Sequence, residues 1–416
     1  MPWPLRHRLP ALLPTLRPEL RPFITSQVLT TLGDSCFHIT LSVCALSLSG
    51  DSLSSVGITW LIRTLPYFVA MPLTGWIVDR FRRRAVMRFA DLLRSLILAL
   101  LCLGLWEGGL SIKMFWVLTF LKSLGDLLFS SARDAWITQV PGEDNRVRIN
   151  AIVMGGYSAG FAGGILIAGA LLALGAGPSE LVGLNALTYA LSLCILGRTL
   201  NPPLPTHTEK ITMLGLRQWK ILCSRHPGLA DVLALAAVNN FLVMGPALVS
   251  APILIRRDMG LPWECFAWYE VAVALGALLA SWMMSSRMPL NLLRLFTLGI
   301  IFDGLTFVPY VLAKDASWYA ALLAMGFVHA LIVPVLMIAR TTWIQSVISP
   351  SLQGRVFAVL STMVLGFMGL GCLATSLALE YGLSTPDTFY LGGLLTALTG
   401  LVGCWRFRTN GVARWL

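Results

Sequence analysis

An all-α membrane protein with twelve transmembrane helices in two pseudo-symmetric six-helix halves is the fold class this sequence predicts, on three observations. Of the 416 residues, 56% are hydrophobic and only 12% charged, where soluble domains carry about 25% charged residues, and the mean hydropathy is +0.75. Apolar runs of roughly 20 residues, the length that crosses a bilayer, recur along nearly the whole chain. The chain also repeats several of its features at an offset of 207 residues, almost half its length.

Taken in order, the runs predict spans at 23–48, 54–78, 85–106, 112–138, 149–174, 180–198, 229–254, 264–284, 290–312, 316–341, 355–378 and 387–405. Residues 1–22 form an arm that prolines interrupt every few residues, with no uninterrupted apolar stretch of signal-peptide length, so it is expected to stay attached. Residues 23–198 and 229–405 are the two halves. Residues 199–228 are a linker in which prolines, charges and turn formers replace the apolar pattern and whose middle suits a short surface helix, and 406–416 are a tail.

The net charge of +11 resolves by location. With the N-terminus in the cytoplasm, 22 of the 31 Lys and Arg residues fall in cytoplasmic segments, among them Arg80, Arg82, Arg83, Arg84 and Arg88 after the second span. Four (Lys113, Arg256, Arg257 and Lys314) fall on the other side, and five lie in the spans. That bias is the positive-inside rule, which places both termini in the cytoplasm and makes nucleic acid an unneeded partner. The eight cysteines lack CxxC spacing, which predicts neither a disulfide framework nor a metal site.

At the 207 offset, Arg133, Trp136, Ile137 and Val140 match Arg340, Trp343, Ile344 and Val347, Arg148 matches Arg355, and Arg80 matches Arg287. Two parallel six-helix repeats describe a transporter whose halves rock about a central site.

The chain also carries Gly75, Asp79, Arg80, Arg83 and Arg84 as Gly-x-x-x-Asp-Arg-x-x-Arg-Arg, preceded by Leu32-Gly33-Asp34 and by Arg63 with Pro66. Asp91 with Arg94, then Arg133, Val140, Pro141, Asn150 and Ala151, complete the pattern. In these residues the sequence resembles the major facilitator superfamily, and within it the bacterial exporters that include the enterobactin exporter and macrolide efflux pumps. In the second half the loop signature is reduced to Ser286, Arg287 and Met288, without an acid. The resemblance implies that the loop is a cytoplasmic gate: Asp79 caps the start of helix 11 near Gln353, Gly354 and Arg355, and the arginines bind nearby acids or carbonyls. An acid at a helix N-terminus contributes about 0.3–1 kcal/mol. A solvated loop that only sets topology is the alternative.

Charges inside a bilayer normally face a cavity or a partner. Asp34 lies about eleven residues into the first span, ~16 Å along the axis, with His38 one turn on. Lys122 and Asp126 are one turn apart, and Arg63, Glu270, Asp303 and His329 stand at comparable positions. These eight residues are the candidate substrate or proton pathway. Asp34 is the first candidate for coupling, its alternative being a structural pair with Arg63. Lys122 and Asp126 are expected to neutralise each other, and His329 to be a hydrogen-bonded core histidine. Both signs of charge are represented, so no charge preference for the substrate follows.

Gly156, Gly160 and Gly164 leave one face of the fifth span without side chains, which permits close helix approach and suits a sliding face between the halves. Phe161 stands where the family's antiporter motif has proline. Gly156-Tyr-Ser-Ala-Gly160 spells a hydrolase elbow and Gly50-Asp-Ser-Leu53 an esterase signature, but neither has the strand-to-helix setting such chemistry requires. No phosphate-cradling loop is present, which argues against direct ATP drive.

The functional expectation is a secondary active transporter, not an enzyme, with no catalytic residue, cofactor or metal. It exports a small siderophore-like or drug-like molecule across a bacterial inner membrane by alternating access, coupled to protons, and works as a monomer. Proton-coupled import of a siderophore or metal-siderophore complex is the alternative, and a non-transporting membrane sensor is a third.

Overall fold

Apolar runs in a bilayer must satisfy their own backbone hydrogen bonds, which they do here as helices. The computed structural model describes residues 20–139, 143–199, 216–286 and 291–409, with backbone alone at 71, 72, 79, 138, 139, 143–155, 216–218, 285, 286, 350, 351, 354 and 409. The arm before residue 20, most of the linker, Arg287 with Met288, and the tail after 409 lie outside the described residues. The helices are α1 (Arg21–Ser47), α2 (Leu53–Thr64), α3 (Pro66–Val69), α4 (Met71–Arg80), α5 (Arg83–Trp106), α6 (Ile112–Gln139), α7 (Glu143–Ala173), α8 (Pro178–Leu196) and α9 (Leu216–Arg225). They continue as α10 (Leu229–Gly245), α11 (Ala251–Ile253), α12 (Trp263–Ser286), α13 (Leu292–Phe307), α14 (Tyr319–Ala330), α15 (Val333–Val347), α16 (Pro350–Glu380) and α17 (Thr385–Thr409).

Among the described residues, ten helical runs are long and apolar enough to cross a membrane, against the twelve spans expected. The span expected at 54–78 is broken into α2, α3 and α4, because Pro66 and Pro72 lack the N–H that a continuous helix needs. Leu65 and Ala70 keep right-handed helical dihedrals, so the run bends without unwinding. The span expected at 112–138 is the 28-residue α6, which is long enough but carries Lys113, Lys122, Asp126, Arg133 and Asp134. Large apolar side chains such as Leu100, Leu103, Trp106, Trp282, Leu398 and Trp405 stand exposed on the outside, as lipid contact requires. The chain is a multi-pass, all-helical membrane protein.

Packing sets where a site can form. Helix α1 is wedged between α7 and α8, while α5 packs on α6 and α8. Later in the chain, α10 packs on α16 and α17, and α13 on α15 and α17. Helices before residue 199 meet those after 216 chiefly where α2 and α3 cross α16 and where α7 and α1 cross α12.

The apolar core shows which end is closed. One cluster joins Phe37, Leu41, Val56 and Trp60 to Val249, Cys372 and Leu379, and a second joins Cys36 and Ile165 to Ala267, Phe307 and Phe389. Both therefore draw on residues from each side of the linker. At the opposite end, where α1 begins and α17 finishes, the clusters separate: one around Phe23, Val78 and Trp136 uses residues 20–196 alone, and one around Leu229, Trp343 and Val356 uses residues 222–407 alone. The closed end is sewn by polar contacts as well. The Gly57 N–H donates to Ser376 Oγ at 3.0 Å, Ser376 Oγ donates to the Leu53 carbonyl, and the Ser54 N–H donates to Glu380 Oε2 at 3.1 Å.

The glycines of α7 do not face this seam. A Cβ on Gly164 would lie 2.2 Å from the Leu32 carbonyl oxygen, and one on Gly160 2.8 Å from that of Val28. The stripe, with Gly156 against Val28, is a tight contact with α1 and not the sliding face expected between the halves. Close backbone approach is what small-residue stripes provide between membrane helices.

Candidate functional site

A buried polar network occupies the space between α1, α5, α6 and α8. Lys122 Nζ donates to Asp34 Oδ1 at 2.7 Å and to Asp126 Oδ2 at 2.9 Å. Arg94 Nη1 donates to Asp126 Oδ1 at 3.1 Å, and its Nη2 donates to Asp91 Oδ1. Helix α8 closes the network: the Tyr189 hydroxyl donates to Asp34 at 2.6 Å, Asn185 lies 3.5 Å from the same oxygen, and Ser192 Oγ donates to Asp91 Oδ2 at 2.6 Å. Lys122 is 2% exposed. An ammonium removed from water to that degree demands such partners.

The expected mutual pairing of Lys122 and Asp126 is present, but it is part of a larger set. Asp34 pairs with Lys122 and not with Arg63, because Lys122 on the facing α6 reaches its carboxylate directly. The missed members, Asn185, Tyr189 and Ser192, had a signal: with Thr188 they form a polar stripe at helical spacing along an otherwise apolar run. Asp91 and Arg94 stood in the sequence pattern without being assigned to the pathway.

The network is open on one side. The Asp34 side chain is 33% exposed although α1 is otherwise largely buried, and Tyr157 of α7 is 51% exposed. Around this opening stand Asp34 of α1, Tyr67 of α3 and Tyr157 of α7. Arg63 of α2 stands beside it, its guanidinium carbon 4.9 Å from the Trp60 ring centroid. Its Nη1 is buried without a hydrogen-bond partner. Tyr67 and Tyr157 both lie within electrostatic range of Arg63, Asp34 and Arg133. Arg133 itself pairs with Asp134 at 2.8 Å.

His38 and Glu270 come together across the α1–α12 contact, a meeting that the sequence did not disclose. His38 Nε2 lies 3.9 Å from Glu270 Oε2, with the rings of Trp60 and Phe161 at 5.2 and 6.0 Å from the imidazole. Asp303 and His329 form a separate group: His329 Nδ1 is 3.1 Å from Asp303 Oδ1 and 3.2 Å from Thr306 Oγ1, and Asn239 donates to Asp303 Oδ2 at 3.2 Å. Among the described residues no hydrogen bond or ion pair joins this group to the Asp34 network.

In the gating stretch, Gly75 is exposed, Arg80 lies over Trp76 at 5.6 Å, and Arg83 Nη1 donates to the Phe81 carbonyl at 3.1 Å. Arg84 Nη1 donates to the carbonyls of Gly197 and Thr199 at 3.4 and 2.8 Å, a cation at the C-terminal end of α8. Arg355 sits in the first turns of α16. The Asp79 side chain lies outside the described residues. Neither esterase-like string is a nucleophile site: Gly50 and Asp51 form a left-handed turn at φ 65° and 63°, and Gly156 to Gly160 lie within α7.

Known proteins share this architecture. The sequence profile of the Major Facilitator Superfamily matches residues 23–371. An uncharacterized MFS-type transporter of Bacillus subtilis (strain 168), YfiS, is 24% identical over 403 residues, covering 91% of each chain. The fold is similar to that of a nucleoside transporter, NupG, with TM-score 0.73, 11% identity, and coverage of 94% of this chain and 99% of that one. It is also similar to a bacterial homologue of the iron transporter ferroportin in its inward-facing state, with TM-score 0.69, 15% identity, and coverage of 92% and 98%. At such identities these two structures speak for the fold alone. Because the family profile spans most of the chain, and the helices pack as that family's do, this protein belongs to the Major Facilitator Superfamily and is a membrane transporter rather than an enzyme.

Proposed function

We propose that the chain is a secondary active transporter which exports a small siderophore-like or drug-like molecule across a bacterial inner membrane, driven by protons. The observation that carries this reading is the core itself. Apolar clusters bridge the two parts of the chain at one end and separate at the other, which is the shape of one state of an alternating-access cycle. In this reading the bent run α2 to α4 and the charged α6 are spans despite their prolines and charges. That makes twelve helices in two halves, 23–198 and 229–405, with both termini and the linker 199–228 cytoplasmic. The open end then faces the cytoplasm.

Glu270 with His38 is the proposed coupling pair. The Asp34 carboxylate already has Lys122, Tyr189 and Asn185 as donors, whereas the described residues within 4 Å of Glu270 offer it only the imidazole of His38. Burial of an ionised carboxylate without donors is costly, so a proton arriving at or leaving this pair changes how strongly α1 and α12 hold together. Arg63 acts on His38 from α2, and Tyr269 and Tyr310 are the other titratable groups near Glu270. Asp79, with Arg80, Arg83 and Arg84, is the proposed gate that engages α16 near Arg355 when the open end closes. A monomer suffices for this cycle.

Import by proton symport is the second reading, favoured by Phe161 in place of the antiporter proline. Uptake of a labelled siderophore, with and without its metal, into right-side-out and inverted membrane vesicles separates the two. Accumulation in inverted vesicles with an acidic interior is the result expected. Accumulation only in right-side-out vesicles with an acidic exterior would establish import, and none in either would remove the siderophore reading.

A further inference from the structure

The buried and part-buried charges of α1, α2, α5, α6 and α12 differ in how far they are already committed, and the difference bears on the ligand. Asp34 and Asp126 are tied to Lys122 and Arg94, and Tyr189 donates to Asp34 with its hydroxyl 3.3 Å from Asp126 Oδ1. The third acid of the network, Asp91, is fully buried behind them, held by Arg94 and Ser192. Glu270 faces His38. Arg63 is different: among the described residues no carboxylate lies within ion-pair distance of it, one of its amino groups is buried without an acceptor, its guanidinium lies over the Trp60 ring, and Tyr67 and Tyr157 are within electrostatic range. A guanidinium left so in a membrane protein is costly unless an acceptor arrives. Its planar fork suits a carboxylate or a similar oxyanion, held by two parallel hydrogen bonds.

The surroundings define the rest of the ligand. Tyr157 stacks on Phe161, with ring centroids 6.3 Å apart, and Trp60 and Phe161 also frame His38. Of these rings Tyr157 and Phe161 are not fully buried and offer flat surfaces that match a planar ring, while Trp60 is buried in the closed seam under Arg63.

Building on the transport reading above, we propose that Arg63 is the anion-binding group of the transport site and that the substrate is an aromatic organic anion. The carboxylate or equivalent oxyanion sits on Arg63, with the Tyr67 and Tyr157 hydroxyls as neighbouring donors. The ring lies against Tyr157 and Phe161. The charge preference that the sequence leaves open is thereby assigned by the unpaired Arg63 beside the opening at Asp34 and Tyr157; Arg340 of α15, another arginine with a buried unsatisfied nitrogen among the described residues, is likewise a cation.

The test uses the purified full-length chain in detergent and three probes of one shape: 2-naphthoate, its neutral amide, and 2-naphthylmethylammonium. Naphthoate is expected to raise the unfolding temperature in a dose-dependent way, with the amide and the ammonium weaker by tenfold or more in apparent affinity. R63Q should lose at least tenfold for naphthoate with little change for the amide, and R63K should recover part of it. Preference for the ammonium, equal response to all three probes, no response to naphthoate, or an unchanged naphthoate response in R63Q would each overturn the assignment. The comparison of probes on the unaltered protein stands even if R63Q fails to fold. Uptake of the same probes into proteoliposomes under a proton gradient separates the two readings. Gradient-driven accumulation of the ammonium alone would keep the transporter and discard the anion site. Arg63-dependent binding of naphthoate with no accumulation of any probe would keep the anion site and discard transport of this class.

Discussion

The Lys122 ammonium lies 2.7 Å from Asp34 Oδ1 and 2.9 Å from Asp126 Oδ2, so one buried cation on α6 joins a carboxylate of α1 to one of its own helix. Tyr189 and Arg94 complete the connection to α8 and α5. The first consequence concerns stability. Lys122→Met would leave two carboxylates short of their shared counter-charge, and removal of one partner from a buried pair typically costs about 3–5 kcal/mol. The variant should show a marked fall in the yield of monodisperse protein and in its unfolding temperature. Asp34→Asn in the same background should restore part of the loss. Additive effects in that double-mutant cycle would mean that the two residues do not interact as described.

The glycine contact between α7 and α1 makes a sharper prediction, because neighbouring glycines differ. A Cβ at Gly164 meets the Leu32 carbonyl at 2.2 Å, while one at Gly163 meets nothing within 4 Å. Backbone cannot swing aside as a side chain does, so Gly164→Ala should destabilise by about 1–3 kcal/mol or more. Gly163→Ala should be neutral or slightly stabilising, since alanine is the better helix former. Thermal unfolding of the two variants in detergent is the check, and equal behaviour would contradict the packing.

Closure of the seam between α2 and α16 depends on Gly57, where a Cβ would fall 2.4 Å from Ser376 Cβ and 2.5 Å from the Cys372 carbonyl oxygen. Gly57→Val should push these helices apart and favour the state open at that end. Cys372, fully buried in the closed seam, supplies a native reporter. Its modification by a maleimide, followed by mass spectrometry, should rise several-fold in the variant. Unchanged labelling in a folded variant would show that the seam does not control access.

The proposed coupling pair predicts a split between two kinds of transport. Glu270→Gln keeps the shape of the side chain but removes its proton chemistry. Accumulation driven by a proton gradient should be lost in proteoliposomes, while exchange of labelled for unlabelled substrate across them continues. Gradient-driven accumulation at the unaltered rate would remove Glu270 from the coupling step.

The membrane spans were mostly legible in the linear sequence because hydropathy and helix length are properties of contiguous residues. The exceptions are instructive. Pro66 and Pro72 divide a run whose composition reads as one span, since a missing N–H acts on geometry more than on hydropathy. The candidate polar positions were also legible as charges within apolar runs, whereas Tyr189 and Asn185 carry no charge and are legible only through the polar stripe that they form with Thr188 and Ser192 at helical spacing.

Membrane embedding, the broad order of spans, and the positions of Asp34, Lys122 and Glu270 within them followed from the sequence by itself, because burial of a charge in hydrocarbon is unfavourable wherever it occurs. Partnership was decided only by the tertiary structure. Asp34 takes Lys122, 88 residues away, and not Arg63, and His38 meets Glu270 across a helix contact that no local pattern encodes. Which end is closed, and the lack of an ion-pair partner for Arg63 among the described residues, were likewise decided by the packing of α2 on α16 and of α1 between α7 and α8. Pairing energies in a low-dielectric interior depend on separations of a few ångströms, and only the folded chain sets those distances.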